Sequence, residues 1–241
     1  MLLNWSTRFY YSASDRKYFV AHNGTKHYFL NKRQALNAYR KGVPERARYL
    51  GACYHLDQIP FQKNDVVVDC GANVGDLLLA LRSLGFSGKY IGFEPSPSEF
   101  SCLDKNSNDS EAYNLGLWNT DGSLEFFISS DGADSSFIRP KIYEQISEIK
   151  TVRLDEKLPS DLKIKLLKIE AEGAEPEVIH GVEGLLPNVN FITADLGYER
   201  GVMEESTLCP VVNYLLARNF ELVSISSGRL VALFRNRNYD T

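Results

Sequence analysis

The amino-acid sequence predicts an α/β fold: a doubly wound, mostly parallel sheet with an antiparallel C-terminal hairpin and a small N-terminal cap. Three observations lead to this prediction. From residue 65 onward, short apolar runs alternate with helical patterns, which is typical of βα units. The first two runs end on the carboxylates Asp69 and Glu94. The last two runs, 221–225 and 230–234, flank a Ser-Ser-Gly-Arg turn, which favours an antiparallel pair.

The first 60 residues are expected to form the cap, and residues 61–241 the main domain. Asn23-Gly24 separates two aromatic and branched runs, which predicts a β-hairpin. Residues 32–40 are predicted to be helical, and Pro44 opens a second helix through about residue 56. Across the hairpin, His22 and His27 are expected on one face. Because no third ligand follows, we interpret both as solvent-facing polar residues and assign no metal.

The main domain follows the order of a doubly wound sheet. Residues 124–128 are predicted to form an inserted strand, and residues 131–136 form a turn-rich loop that is expected to border the substrate opening. The predicted strands are 65–70, 89–94, 111–117, 164–170 and 189–195, and the predicted helices are 76–84, 97–106, 175–183 and 206–219.

The residues that follow the first two strands indicate the ligand. A Gly-rich turn after a strand, with a carboxylate after the next strand, is how such a sheet binds a ribose. The spacing Gly71-x-x-x-Gly75 differs from the Gly-x-Gly-x-x-Gly of dinucleotide sites. Asp69 would repel phosphates but attract the sulfonium and ammonium groups of S-adenosylmethionine. Glu94 is expected to accept hydrogen bonds from both ribose hydroxyls. The pattern therefore favours S-adenosylmethionine over NAD.

Three motifs resemble those of FkbM-type S-adenosylmethionine-dependent methyltransferases. They are Asp69-x-Gly-Ala-Asn-x-Gly75, Phe93-Glu-Pro95 and Lys168-Ile-Glu-Ala-Glu-Gly-Ala-Glu175, and the resemblance spans about residues 45–235. Glu170 stands where the family usually carries Asp. The resemblance implies a class I (Rossmann-like) methyltransferase fold. The expected cofactor-binding residues are Asp69, Gly71, Ala72, Asn73, Gly75, Glu94, Pro95, Asn114 and Glu170.

A later segment bears on the acceptor. Asp195-Leu-Gly-Tyr-Glu199-Arg200-Gly201 is similar to a segment of family members that methylate sugars. The resemblance therefore implies O-methylation of a hydroxyl on a sugar, glycan or glycosylated metabolite. Two alternatives stay open: a polyketide or other natural-product hydroxyl as acceptor, and a non-catalytic S-adenosylmethionine-binding partner protein. Ser135, Ser136, Glu199 and Arg200 are the expected substrate-binding residues.

Three carboxylates are candidates for the base that removes the acceptor proton. Glu172 is the first choice because it follows the fourth predicted strand at the cleft edge, and Asp195 and Asp134 come next. The alternative for Glu172 is helix entry, where its charge complements the amide dipoles of the next helix. The alternative for Arg200 is an ion pair with Glu199 or Glu204.

Composition narrows the class of protein. The chain has 241 residues, is 44% hydrophobic and carries a net charge of −4. Residues 1–60 contain ten Lys and Arg against three Asp and Glu, a balance of +7, so the remainder carries −11. The acidic bulk disfavours nucleic acid, and the basic cap is compatible with an anionic substrate or an internally balanced surface. No apolar run predicts a membrane span, no signal peptide is recognised, and a cytoplasmic protein is expected. A homo-oligomer is compatible with the sequence.

Overall fold

The computed structural model describes residues 7–22, 24–30, 32–108, 110–129, 134–226 and 228–239. Asn23 of the predicted hairpin turn and residues 131–133 of the predicted loop lie outside these ranges. The chain opens with three antiparallel strands and two helices: β1 (Phe9–Ser12), β2 (Lys17–His22), β3 (Thr25–Phe29), α1 (Lys32–Tyr39) and α2 (Val43–Cys53).

The predicted N-terminal hairpin is confirmed, with Val20 opposite His27 and His22 opposite Thr25. Strand β1 is an addition that the sequence did not predict; it pairs with β2. The interpretation of both histidines as solvent-facing is wrong for His27, which is only 6% exposed. Its Nε2 lies 2.8 Å from Oδ1 of Asp76. A carboxylate from a distant helix therefore gives His27 a buried partner.

The remaining elements include the strands of three further sheets: a seven-stranded central sheet, a three-stranded sheet and the two-stranded pair of Tyr198–Arg200 and Glu205–Ser206. They are β4 (Val66–Cys70), α3 (Asp76–Ser83), β5 (Lys89–Phe93), α4 (Pro97–Ser107), β6 (Glu111–Tyr113), β7 (Gly116–Leu117), β8 (Gly122–Ile128), β9 (Gln145–Val152), α5 (Leu154–Lys157), β10 (Ile164–Ile169), α6 (Glu175–His180), β11 (Val189–Asp195), β12 (Tyr198–Arg200), β13 (Glu205–Ser206), α7 (Leu208–Leu216), β14 (Phe220–Ile225) and β15 (Val231–Asn236).

The central sheet confirms the predicted architecture. Its seven strands follow the order β14-β15-β11-β10-β4-β5-β6. The strands from β11 to β6 are parallel, whereas β15 runs antiparallel to both β11 and β14. Because β10, β4 and β5 are parallel neighbours, their carboxyl ends meet at one edge of the sheet. The predicted motifs therefore converge at this edge.

The prediction of one continuous strand over residues 111–117 is wrong. The chain leaves the central sheet after β6, and β7 pairs instead with β9 in a separate three-stranded sheet with β8. Asn114 fixes this exit, since its Nδ2 donates to the carbonyl oxygens of Glu94 and Pro95 at 2.8 and 2.9 Å. The inserted strand predicted at 124–128 is confirmed as part of β8.

Apolar side chains fill both faces of the central sheet. One core packs β-strand residues such as Ile169 and Ile192 against α6 and α7, and the other packs Val67 and Leu166 against α2 and α3. A third core joins the N-terminal strands and α1 to Val74 and Cys102. None of the helices in the described ranges combines the length and apolar character needed to cross a bilayer.

Candidate active site

A pocket of about 290 Å³ opens where β4, β5 and β10 end. Eleven of the predicted site residues line it: Asp69, Gly71, Ala72, Asn73, Glu94, Pro95, Asp134, Ser135, Glu170, Glu172 and Glu199. Residues of α1 and α2 complete one wall, including Tyr39, Arg46 and Tyr54. The strand-end geometry that the sequence predicted thus produces a single concave site.

The Gly71–Gly75 turn is shaped by close backbone approach. Gly71 has φ +69°, and a Cβ at this position would lie 1.9 Å from the carbonyl oxygen of Glu170. The required approach is therefore to the end of β10, not to a ligand. Gly75, with φ +91°, precedes α3 and does not line the pocket. We conclude that Gly71 lets the turn pack against the end of β10, whereas Gly75 faces Leu103 and Asn106 of α4.

Glu94 is ordered by the same turn. Its Oε2 accepts the backbone N–H of Asn73 at 2.7 Å, and its Oε1 accepts that of Ser96 at 2.8 Å. Burial raises the pKa of Glu94 to about 8, although the two amide donors oppose the shift. Each carboxylate oxygen retains a further lone pair for a ligand hydroxyl. The position and remaining acceptor capacity suit a ribose diol.

Lys168 is the central cation of the site. It is 2% exposed, and its Nζ lies 3.0 Å from Asp69 and 3.1 Å from Glu170. Nζ also donates to the carbonyl oxygens of Cys70 and Gly71 at 3.1 and 2.7 Å. Burial opposes its charge, but the two carboxylates outweigh burial and raise the pKa of Lys168. Lys168 therefore ties the end of β10 to the turn after β4.

Asp69 differs from its expected role. Its side chain is fully buried, it accepts the Tyr90 hydroxyl at 2.6 Å, and it is paired with Lys168. A carboxylate that is already neutralised by a buried lysine offers little net attraction to a sulfonium. We therefore interpret Asp69 as a residue that positions the turn, while it still forms part of the pocket lining.

Glu170 connects the strand ends to the C-terminal hairpin. Its carboxylate binds Lys168, the Tyr54 hydroxyl and Arg229, the last at 2.8 Å. Burial would raise the pKa of Glu170, but Lys168 and Arg229 lower it to about 2. Arg229 also pairs with Asp195, which is 1% exposed and lies outside the pocket lining. Asp195 is thus placed as an ion-pair partner.

Glu172 projects from a left-handed turn between β10 and α6. Its φ is +48°, and its backbone oxygen accepts the Ser136 hydroxyl at 2.7 Å. The nearby Glu175 carboxylate orders this turn, since it accepts the N–H groups of Ala171 and Gly173. Helix α6 begins at Glu175, three residues later. The helix-entry alternative for Glu172 expected this helix start, but the carboxylate that binds the backbone N–H groups of the turn is that of Glu175.

The Glu172 carboxyl group lies among other acids. Burial and the carboxylates of Glu199, Glu170 and Asp134 raise the pKa of Glu172 to about 10. Burial, together with Asp195, likewise raises the pKa of Glu199 to about 8. Without a ligand at neutral pH, the Glu172 carboxyl therefore holds its proton. A nearby positive charge would favour its ionised form.

An ion cluster joins the N-terminal wall of the pocket to the central sheet. Asp76, the first residue of α3, accepts two hydrogen bonds from Arg46 at 2.9 and 2.6 Å, and also binds His27 and the Tyr39 hydroxyl. Burial opposes ionisation, but Arg46 and His27 lower the pKa of Asp76. Asp76 therefore fastens α1, α2 and β3 beside the pocket.

Five predicted site residues do not reach the pocket surface: Gly75, Asn114, Ser136, Asp195 and Arg200. Both proposed partners of Arg200 are wrong, since its guanidinium binds Glu177 with two hydrogen bonds of 2.9 and 2.7 Å. Ser136 secures the loop at 134–136 to the Glu172 turn.

Sequence reasoning missed several lining residues. Lys168 stood inside a recognised motif but within a wholly buried strand, so its position as a charged centre was not assigned. Tyr54, Arg46 and Arg229 come from the predicted cap and the C-terminal turn, and they reach the pocket only through tertiary packing. Local spacing contained no signal for them.

The lining fits S-adenosylmethionine. The buried Glu94 carboxylate faces the pocket beside Phe93 and Pro95, and Leu117, Phe126 and Phe137 extend this apolar wall. A carboxylate in a pocket that is also lined by apolar and aromatic side chains suits a ribose with an attached adenine.

Comparisons with known proteins agree with this site. The methyltransferase FkbM domain model matches residues 69–222. The chain is 26% identical over 162 residues to "Methyltransferase 1" of Beauveria bassiana, covering 56% of this chain and 64% of that protein. It is 28% identical over 142 residues to "Hexuronic acid methyltransferase AglP" of Haloferax volcanii, covering 56% of this chain and 57% of that protein. The chain thus spans less than two thirds of either relative.

A solved structure supports the fold. P. horikoshii TYW2 in complex with MeSAdo matches with a TM-score of 0.50 and 14% identity, covering 93% of this chain and 72% of that chain. This likeness confirms the class I, Rossmann-like methyltransferase fold that the sequence predicted. Since the family model covers more than half of the sequence, the chain belongs to the FkbM family of S-adenosylmethionine-dependent methyltransferases.

Proposed function

We propose that this protein transfers a methyl group from S-adenosylmethionine to a hydroxyl oxygen of a sugar or glycan. The observation that carries the proposal is the Glu172 carboxyl group, which lies in the donor pocket and has no ion-pair partner among the described residues. A hydroxyl is a weak nucleophile, so a carboxylate that takes its proton accelerates attack. The name of the Haloferax volcanii relative supports a sugar as acceptor.

We expect different residues of the pocket to bind the donor and to remove the acceptor proton. S-adenosylmethionine supplies an electrophilic methyl group on a positively charged sulfur. Glu94 would bind the ribose, and the turn held by Lys168 would position the rest of the donor. Glu172 would accept the acceptor hydroxyl proton as the new O–CH₃ bond forms and the S–CH₃ bond breaks. The donor's positive charge would favour the ionised Glu172 that this step requires.

The roles of the other site residues follow from their positions. We propose that Asp134, Ser135 and Glu199 contact the acceptor, because they border the Glu172 end of the pocket. We also propose that residues 1–60 form a cap on a methyltransferase domain of residues 61–241, which is supported by the α1 and α2 side chains in the donor wall. A nucleic-acid acceptor is disfavoured because carboxylates outnumber cations in the described lining.

Methyl transfer from labelled S-adenosylmethionine to a panel of sugars and sugar-free natural products tests the proposal. We expect label in sugars, and Glu172→Gln should lower kcat by about 10² to 10⁴. Its donor affinity should fall by a smaller factor, because the donor's positive charge and the ionised Glu172 stabilise each other. Glu204→Gln is the matched control, since Glu204 is exposed in the turn that follows Glu199. Turnover of Glu172→Gln within about threefold of wild type would show that Glu172 does not act as the general base. Label only in sugar-free acceptors would overturn the substrate class.

A further inference from the structure

Arg229 is a cation of the pocket lining that has unused N–H groups. It lies between β14 and β15, and its Nη2 alone binds both Glu170 and Asp195. Its Nε and Nη1 have no hydrogen-bond partner in the part of the chain that the structure describes. The side chain is nevertheless 37% exposed. A guanidinium that is held in place beside a pocket and still has free N–H groups suits an anionic ligand.

Glu170, the neighbour of Arg229, has acceptor capacity left. Its Oε2 is used by Lys168 and by the Tyr54 hydroxyl. Its Oε1 accepts Nη2 of Arg229 at 2.8 Å. Because a carboxylate oxygen accepts about two hydrogen bonds, Oε1 keeps a free position. The pocket therefore places an unused anionic acceptor beside unused cationic donors.

The other two cations of the described lining do not offer this combination. Nζ of Lys168 already contacts two carboxylates and two carbonyl oxygens. Arg46 keeps Nη1 free, but its partner Asp76 accepts two hydrogen bonds from Arg46 on Oδ2 and contacts two N-terminal side chains through Oδ1. Among these residues, Arg229 and Glu170 are therefore the pair that can bind a negative and a positive group side by side.

This pair lies at a suitable distance from the expected ribose site. Glu94 follows β5 and Glu170 follows β10, and β4 lies between these two strands. Adjacent strands are about 4.8 Å apart, so the ends of β5 and β10 are about 10 Å apart. In S-adenosylmethionine, about six covalent bonds of about 1.5 Å separate the ribose C3′ from the α-carbon. An extended donor bound at Glu94 can therefore reach Glu170 with its α-amino acid group.

We infer that Arg229 and Glu170 bind the α-amino acid group of S-adenosylmethionine. The free N–H groups of Arg229 donate to its carboxylate, and Oε1 of Glu170 accepts from its ammonium. The two ligand charges are attached to one carbon, and the protein presents the opposite charges at 2.8 Å from each other. The inference concerns the donor, so it does not depend on the acceptor that we propose. It makes Arg229 a residue that selects nucleosides with an intact amino acid group.

Three nucleosides separate the two halves of this recognition. S-adenosylhomocysteine has both charged groups, its decarboxylated analogue has only the ammonium, and 5′-methylthioadenosine has neither. Calorimetry near pH 7 measures the affinity of the full chain for each. We expect S-adenosylhomocysteine to bind at least about tenfold more tightly than the decarboxylated analogue, which in turn should bind more tightly than 5′-methylthioadenosine. Equal affinity for any two of the three would overturn the inference.

Two variants locate the carboxylate. Arg229→Gln should lower the preference for S-adenosylhomocysteine over its decarboxylated analogue by at least about tenfold, and should change the affinity for 5′-methylthioadenosine by less than about threefold. Arg229→Lys keeps a positive charge beside Glu170 and Asp195 if the first variant does not fold. Because lysine lacks the additional nitrogens, its preference should still fall by at least about threefold.

Arg235→Gln is the matched control on the same hairpin. The Arg235 side chain is 57% exposed and pairs with Glu221, so this variant should keep the wild-type preference. Equal weakening of all three nucleosides by the Arg229 substitutions would show a purely structural role and overturn the inference. An unchanged preference in these variants would also overturn it, because the carboxylate would then bind elsewhere. Failure of the wild type to bind any of the three would overturn the donor site, and the proposed function with it.

Discussion

Replacing Glu172 by glutamine should stabilise the ligand-free protein while it slows methyl transfer. Burial and the neighbouring carboxylates raise the pKa of Glu172 from 4.5 to about 10. The folded state therefore binds one more proton than the unfolded state between these pH values, so stability falls as pH rises through this window. Glutamine keeps the shape of the neutral carboxyl and cannot ionise. The variant should therefore lack the part of the fall in stability with rising pH that comes from ionisation of Glu172.

The size of the effect follows from the proton affinity. A tenfold change in affinity corresponds to about 1.4 kcal/mol, which gives a ceiling of about 5 kcal/mol near pH 8. Solvent reaches part of the Glu172 side chain and screens these charges, so we expect a gain of about 1 to 3 kcal/mol. For a chain of this length, each kcal/mol raises Tm by about 2 to 4 °C.

Urea unfolding of wild type, Glu172→Gln and the control Glu204→Gln, at about pH 5 and about pH 8, measures this difference. The wild type and Glu172→Gln should be close at the lower pH and diverge at the higher one. Saturating S-adenosylmethionine should narrow the gap, because its positive charge stabilises the ionised Glu172. A Glu172→Gln protein that is no more stable than wild type near pH 8 would refute the electrostatic reasoning.

Three further predictions test the donor end of the pocket. Glu94→Gln should weaken S-adenosylmethionine binding in calorimetry by about 1.5 to 3 kcal/mol. Glu94→Ala should also lower the free energy of unfolding by about 2 to 6 kcal/mol, because two buried N–H groups lose their acceptor. Equal donor affinity of Glu94→Gln and wild type would exclude the ribose role. Gly71→Val should fail to fold, as judged by circular dichroism, because its Cβ would overlap the Glu170 carbonyl; a folded variant would contradict this packing. Asp76→Asn should lower the unfolding free energy by about 3 kcal/mol or more, since it leaves the buried Arg46 without its carboxylate; unchanged stability would show that the cluster does not fasten the cap.

Features that depend on strand ends were predictable from the sequence. Apolar runs placed Asp69 and Glu94 at the ends of parallel neighbours, and the sheet then brought both acids to one edge. The same reasoning placed Glu172 at the cleft. These predictions needed only the period of the strands and the rule that parallel strands share a carboxyl edge.

Features that depend on tertiary packing were not predictable in this way. Arg229 lies in a turn that looked like a simple hairpin connection, yet it neutralises Glu170 and Asp195 from a distant part of the chain. The run 111–117 had strand character throughout, but the backbone moves to another sheet between Tyr113 and Gly116. Local sequence patterns indicate that a segment tends to form a strand, but they do not indicate which sheet the strand will join.

Because α1 and α2 are held beside the pocket, the affinity for S-adenosylmethionine should depend on these helices as well as on the central sheet. Tyr39, Arg46 and Tyr54 line the same pocket as Glu94, so the donor and the first 60 residues stabilise each other's placement by equal free energies. We expect saturating donor to slow amide hydrogen exchange across β3 to α2. Because Asp76 holds Tyr39 and Arg46 in the pocket wall, a substitution that weakens this ion cluster should also weaken the binding of S-adenosylmethionine.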